Sequence, residues 1–83
     1  LFQQGFARHQ AGALQEAADI YARILAAEPT HFDALHLLGV AHMQMGNMAE
    51  AARLIERAVD LQPAQAPALI NLAIIRAAQK DYT

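Results

Sequence analysis

The chain has 83 residues, 55% of them apolar, a net charge of −2 at neutral pH and no cysteine. That length holds one small domain, the interspersed charges exclude the basic stripe that nucleic-acid binding requires, and the missing thiols exclude disulfide and thiolate chemistry. Twenty alanines against three prolines and four glycines leave an all-α protein with little competition.

The first predicted helix covers residues 1–11. Gly5 stands inside it, where glycine costs about 1 kcal/mol relative to alanine unless another helix must pass close by. Gly12 follows as a stop signal in a left-handed conformation. The second helix covers 13–27, with Glu16 early in it to meet free N–H groups, Ala17 as the small partner for the Gly5 crossing, Tyr21 in the core, and Pro29 beyond its end. The third covers 31–45. Thr30 and Asp33 have capping-box spacing at its start, and Gly39 and Gly46 repeat the two glycine roles. The fourth covers 48–61, with Asn47 and Glu50 as a second capping pair, Ala51 opposite Gly39, and Pro63 as its stop. The fifth covers 66–79, and Pro67 suits its first turn. Asp81 stands where it would cap one further helix. Connections this short make consecutive helices antiparallel. The most apolar stretch, Ala66 to Ala78, is broken by Asn71 and Arg76 and is too short and polar to span a membrane. The chain starts at Leu1 without an initiator Met or a charged-then-apolar leader. It reads as a piece of a longer protein.

The punctuation is periodic. Shifted by 34 residues, Leu1 meets Leu35, Gly5 meets Gly39, Gly12 meets Gly46, Glu16 meets Glu50, Ala17 and Ala18 meet Ala51 and Ala52, and Pro29 meets Pro63. With Ala7, Gln10 and Arg23 this makes ten identities in the 31 pairs from Leu1 to His31, where about three are expected by chance. A second shift lays Ala34, Leu35 and Leu38 on Ala68, Leu69 and Leu72.

That period, with Leu35, Leu38, Gly39, His42, Ala51, Ile55, Ala58 and Pro63 in the middle unit, resembles the tetratricopeptide repeat (TPR). The family usually has Trp and Tyr where this chain has Leu35 and His42. The resemblance implies a single domain of about two and a half repeats: one over 1–31, one over 32–65, and the first helix of a third over 66–80. It implies a right-handed α-solenoid of five helices in antiparallel pairs.

Chemistry is sparse. His36 and His42 are six residues apart and lie on different helix faces. His9 and His31 belong to other segments. There is no HExxH motif, and no carboxylate stands at ligand spacing from a histidine, so no metal and no cofactor are expected. The acids read as caps or solvated faces: Asp19 with Arg23 at i,i+4, and Glu56, Arg57 and Asp60 along the fourth helix. Serine is absent, and Thr30, Tyr21 and Tyr82 read as cap, core and tail. No glycine-rich phosphate loop exists. The chain is therefore expected not to be an enzyme.

In TPR arrays the first helices of successive pairs line the concave side. By that resemblance Phe2, Phe6, His36, Val40, Met43, Ile70 and Ile74 pave an apolar groove, with Leu37 and Asn71 beside them. The alternative is that these side chains only pack neighbouring helices together. The family's carboxylate-gripping pocket needs cations, and the corresponding places here are Phe2, Phe6, Leu37, Pro67 and Asn71. Only Asn71 fits, so an apolar or amphipathic peptide is the expected ligand, bound as a helix or extended.

Three functions compete. The first is a protein–protein interaction scaffold, expected to be cytoplasmic and without membrane insertion. The second is the TPR arm of a larger bacterial enzyme: "HQAGALQEAADIYARIL" and "FDALHLLGV" look like segments preceding O-linked glycosyltransferase-like domains. The third is a homo-oligomerisation module. Leu69, Leu72, Ala73 and Arg76 repeat the third-helix face that the fourth helix covers, so a homodimer through the fifth helix is expected.

Overall fold

A computed structural model describes residues 1–80 as five α-helices: α1 (Phe2–Gln10), α2 (Leu14–Ala27), α3 (Phe32–Gln44), α4 (Met48–Leu61) and α5 (Ala66–Lys80). No strand occurs among the described residues. Helices adjacent in sequence pack on one another, most extensively α3 on α4, and α3 also touches α5. Asp81, Tyr82 and the cap expected at Asp81 lie outside the described residues.

Two stops are built alike. Gly12 and Gly46 have φ of +83° and +86°, a region where a Cβ collides with the following carbonyl. After α1, the N–H of Gly12 bonds the His9 carbonyl at 3.1 Å and that of Ala13 bonds Arg8 at 2.9 Å. After α3, Gly46 bonds Met43 at 3.1 Å and Asn47 bonds His42 at 2.8 Å. Both pairs are the Schellman pattern, which satisfies the last carbonyls and turns the chain back.

The helix starts differ from the sequence expectation. The cap of α3 is His31, not Thr30: its Nδ1 accepts the Ala34 N–H at 3.1 Å. The helix begins one residue later than the box spacing implies, so an imidazole nitrogen takes the acceptor role usually filled by a hydroxyl. The His31 ring is held by stacking on Phe2, with centroids 5.5 Å apart. Asn47 does occupy the cap position of α4, yet its side chain makes no capping bond. It lies 3.2 Å from His42 Nδ1. Glu50 is taken up by Arg53 one turn on, whose Nε donates at 3.0 Å. That bond holds the Glu50 carboxyl below its usual range.

The core runs the length of the stack in two clusters. One joins Ala17, Ala18, Tyr21 and Ile24 of α2 to Ala34, Leu35, Leu38 and Ala41 of α3 and to Leu54 and Ala58 of α4. The other joins Ala51, Ala52 and Ile55 of α4 to Ala68 and Ile75 of α5. Among the described residues the buried side chains are apolar apart from the hydroxyl of Tyr21, which bonds His9. The small residues let the helices approach closely. A Cβ on Gly39 would strike Ile55 Cγ1 and stand 3.3 Å from the Ala51 carbonyl. A Cβ on Gly5 would stand 2.9 Å from Tyr21 Cε1 and 3.1 Å from Ile20 Cγ2. The crossings thus exist as the glycines imply, but the groups filling them are the large side chains of Tyr21 and Ile55. Of the expected alanine partners, Ala51 contributes its backbone carbonyl.

Candidate interaction surface

Helices α1, α3 and α5 carry the residues that the sequence reading expects to pave a groove. The structure divides its residues into three groups. Phe6, Ile70 and Ile74 are open, with 42%, 58% and 51% of their surface exposed. Phe2 and Leu37 pack on the first core cluster, Val40 and Met43 on the second. All four are half-buried, so each serves packing as well as surface. His36 and Asn71 bond each other, with Asn71 Nδ2 and His36 Nε2 2.9 Å apart.

That last contact has a counterpart. His9 Nε2 lies 2.7 Å from Gln44 Oε1. Both bridges join a histidine of one of these helices to a carboxamide 35 residues on in the next. The separation is the 34-residue repeat plus one, a signal present in the sequence but visible only once the helices are set side by side. With Gln44 Oε1 accepting, the His9 ring donates through Nε2, and its Nδ1 is left to accept from the Tyr21 hydroxyl at 3.2 Å. Tyr21 is fully buried. Burial pushes its phenol above the usual tyrosine range, which keeps the hydroxyl a donor.

His36 is half-buried, and Phe32 lies tilted against its ring with centroids 5.8 Å apart. Burial lowers its pKa from the ordinary histidine value, and Asp33 opposes part of that shift. The ring is therefore neutral at pH 7, and its Nε2 is free to accept from Asn71. These bridges occupy the polar groups between the open apolar side chains.

The charged residues lie elsewhere. Arg8 meets Glu16 at 3.5 Å, Arg53 meets Glu50, and Arg76 meets Glu56. Asp19 accepts from Gln15 at 3.0 Å, not from the Arg23 expected one turn on. Arg57 donates to the Pro29 carbonyl at 3.3 Å, tying α4 to the α2–α3 connection. Arg76, expected on the self-association face, pairs with Glu56 of α4. Leu69, Leu72 and Ala73 stay on the outer side of α5, with Leu69 43% exposed and Ala73 open. Leu72 packs partly on the second cluster.

No group of three His, Asp or Glu side chains gathers into a possible metal site among the described residues. No described helix is long and apolar enough to cross a membrane. A polar depression of 370 Å³ opens between the α2–α3 and α4–α5 connections, lined by His31, Phe32, Asp33, Gln62 and Gln65. His31 is already committed there as the α3 cap.

Searched against curated proteins, the chain finds no match. A family model described as tetratricopeptide repeat matches residues 8–68, a span that includes the end of α1, all of α2, α3 and α4, and the start of α5. With its five helices, its two glycine stops and its two glycine crossings one repeat apart, the chain belongs to the tetratricopeptide repeat family, whose repeats serve protein–protein interaction.

Proposed function

We propose that this chain is a non-enzymatic scaffold that binds an apolar or amphipathic segment of a partner protein across α1, α3 and α5. The observation that supports the reading is the open set Phe6, Ile70 and Ile74, set among polar groups already bonded to one another. Such a surface gives apolar area to a ligand and offers few hydrogen bonds, so the ligand gains by burying its own apolar side chains. Asn71, the one residue left of a carboxylate-gripping pocket, is engaged by His36.

The test replaces open residues only. Phe6→Glu and Ile74→Glu each place a charge on the surface without removing core packing. Each should abolish capture of partner proteins by the immobilised chain while helicity by circular dichroism is retained. Val40→Glu is a poorer probe, because Val40 also packs against the second core cluster. Unchanged capture by both open-site variants would move the search to another face.

The reading as an arm of a larger glycosyltransferase-like enzyme is weaker. Some such arms carry a ladder of asparagines along the concave face; here Asn71 occupies such a place, Gln3 and Leu37 stand at the others, and Asn71 bonds His36. A homodimer through α5 has one observation in its favour, the exposure of Leu69 at 43%.

A further inference from the structure

Each of the four histidines bonds a partner through a ring nitrogen, and one of these bonds cannot survive protonation of the ring. His9 Nδ1 lies 3.2 Å from the Tyr21 hydroxyl, His36 Nε2 lies 2.9 Å from the Asn71 amide, and His42 Nδ1 lies 3.2 Å from the Asn47 amide. Each of those partners has both a donor and an acceptor, so a hydroxyl can rotate, or an amide turn, to meet a charged ring. His31 has no such partner. Its Nδ1 accepts the backbone N–H of Ala34 at 3.1 Å, and a backbone N–H can only donate.

That ring is at once the cap of α3 and part of the seam between α1 and α3. It is half-buried, and its face stacks on Phe2 of α1, which lies in turn against Tyr21 with centroids 5.9 Å apart. The charges around it are of both signs. Arg23 and Glu28 share with it the cleft at Phe2, where Leu1 brings the chain's amino group. Asp33 shares the polar depression on its other side, where Gln62 and Gln65 are neutral. A proton on Nδ1 ends the cap and sets a positive ring at the positive end of the α3 dipole. We propose that His31 is an acid-sensitive catch between α1 and α3: protonation breaks its bond to the Ala34 N–H, the ring leaves the first turn of α3, and the stacking on Phe2 that holds the start of α1 is lost. α1 depends on such contacts, because Gly5 is its only buried residue.

The test follows single amides and rings of the whole chain by NMR from about pH 7.5 to about pH 5, which spans the ordinary histidine pKa of about 6.5. The protection factor of the Ala34 amide against hydrogen exchange should fall about fivefold, the size expected for loss of an N-cap. The Phe2–His31 ring contacts should vanish with it. Both changes should share the midpoint of the His31 ring's own titration, while the α4 amide shifts stay in place. His31→Asn, which caps without titrating, should keep Ala34 protection level across the range. The loss should persist in a His36→Gln chain, which separates the catch from the titration of His36. An Ala34 amide that stays protected while the His31 ring titrates would overturn the inference, as would a ring that stays neutral throughout. So would the same loss in His31→Asn, or movement of the α4 shifts to coil values in place of a local change.

Discussion

Two kinds of glycine serve in this chain, and their substitutions should fail for different reasons. Gly39 is helical, and the space beside it is filled by Ile55. Gly46 has open space around it, but its φ is +86°. Gly39→Leu should therefore cost about 1–3 kcal/mol through overpacking. Gly46→Ala should cost about 1–2 kcal/mol through backbone strain alone. Urea denaturation separates them: an Ile55→Ala background, which removes the struck Cγ1, should recover part of a Gly39→Ala loss and none of a Gly46→Ala loss. Recovery of neither loss would remove Ile55 from the crossing. His36 supplies a residue-scale prediction in pH. Its folded pKa is depressed, chiefly by burial, so between the folded value and the ordinary one the unfolded chain binds more protons. Its stabilising share is therefore complete above the ordinary histidine pKa of about 6.5 and is lost as pH falls through the folded value. Asn71 can turn its amide to offer Oδ1 to the charged ring, so the loss reflects desolvation and not a broken bond. Melting temperature should fall from pH 7.5 to pH 5 in the natural chain, and His36→Gln should flatten that slope.

At the scale of elements, the helices are held to very different degrees. α3 and α4 each bury five residues. α2 buries four, α5 buries Ala68 and Ile75, and α1 buries only Gly5. The polar ties at the ends are exposed: Arg8–Glu16 joins α1 to α2, and Arg76–Glu56 joins α5 to α4. Exposed pairs of this kind contribute about 0–1 kcal/mol each. Local opening should therefore begin at both ends of the stack. Native-state hydrogen exchange should show the amides of α3 and α4 slowest, α2 next, and α1 and α5 fastest. Protection in α5 equal to that in α4 would mean that its outer face is covered in solution, and a dependence on protein concentration would identify a second copy as the cover.

At the scale of the whole molecule, nearly all packing joins helices adjacent in sequence, and α3 with α5 is the lesser exception. Stability is then close to a sum over neighbouring pairs. No single core has to be completed before a surface exists. This arrangement suits the proposed binding face, because the outer helices add open side chains, Phe6 from α1 and Ile70 and Ile74 from α5, and the His9–Gln44 and His36–Asn71 bridges tie each of them to α3.

Local signals determined much of this by themselves. Helix positions follow from alanine-rich segments bounded by Gly12, Pro29, Gly46 and Pro63, because backbone conformation at a glycine or proline is decided within a few residues. The period follows from comparing such signals along the chain, and with it came the family and the pairing of the helices. What the tertiary structure decided lies where side chains meet across helices. Thr30 and Asp33 fit a capping box, yet His31 caps α3, because Phe2 from another helix holds its ring. Asp19 has Arg23 one turn away, yet it accepts from Gln15, and Arg76 pairs with Glu56 of α4. Phe2, Val40 and Met43 share a stripe with Phe6, Ile70 and Ile74, and Leu37 runs beside it, but these four are half-buried by neighbours that no pattern within one helix could supply. Spacing along a chain sets which face a side chain occupies; what covers that face depends on contacts made a full repeat or more away.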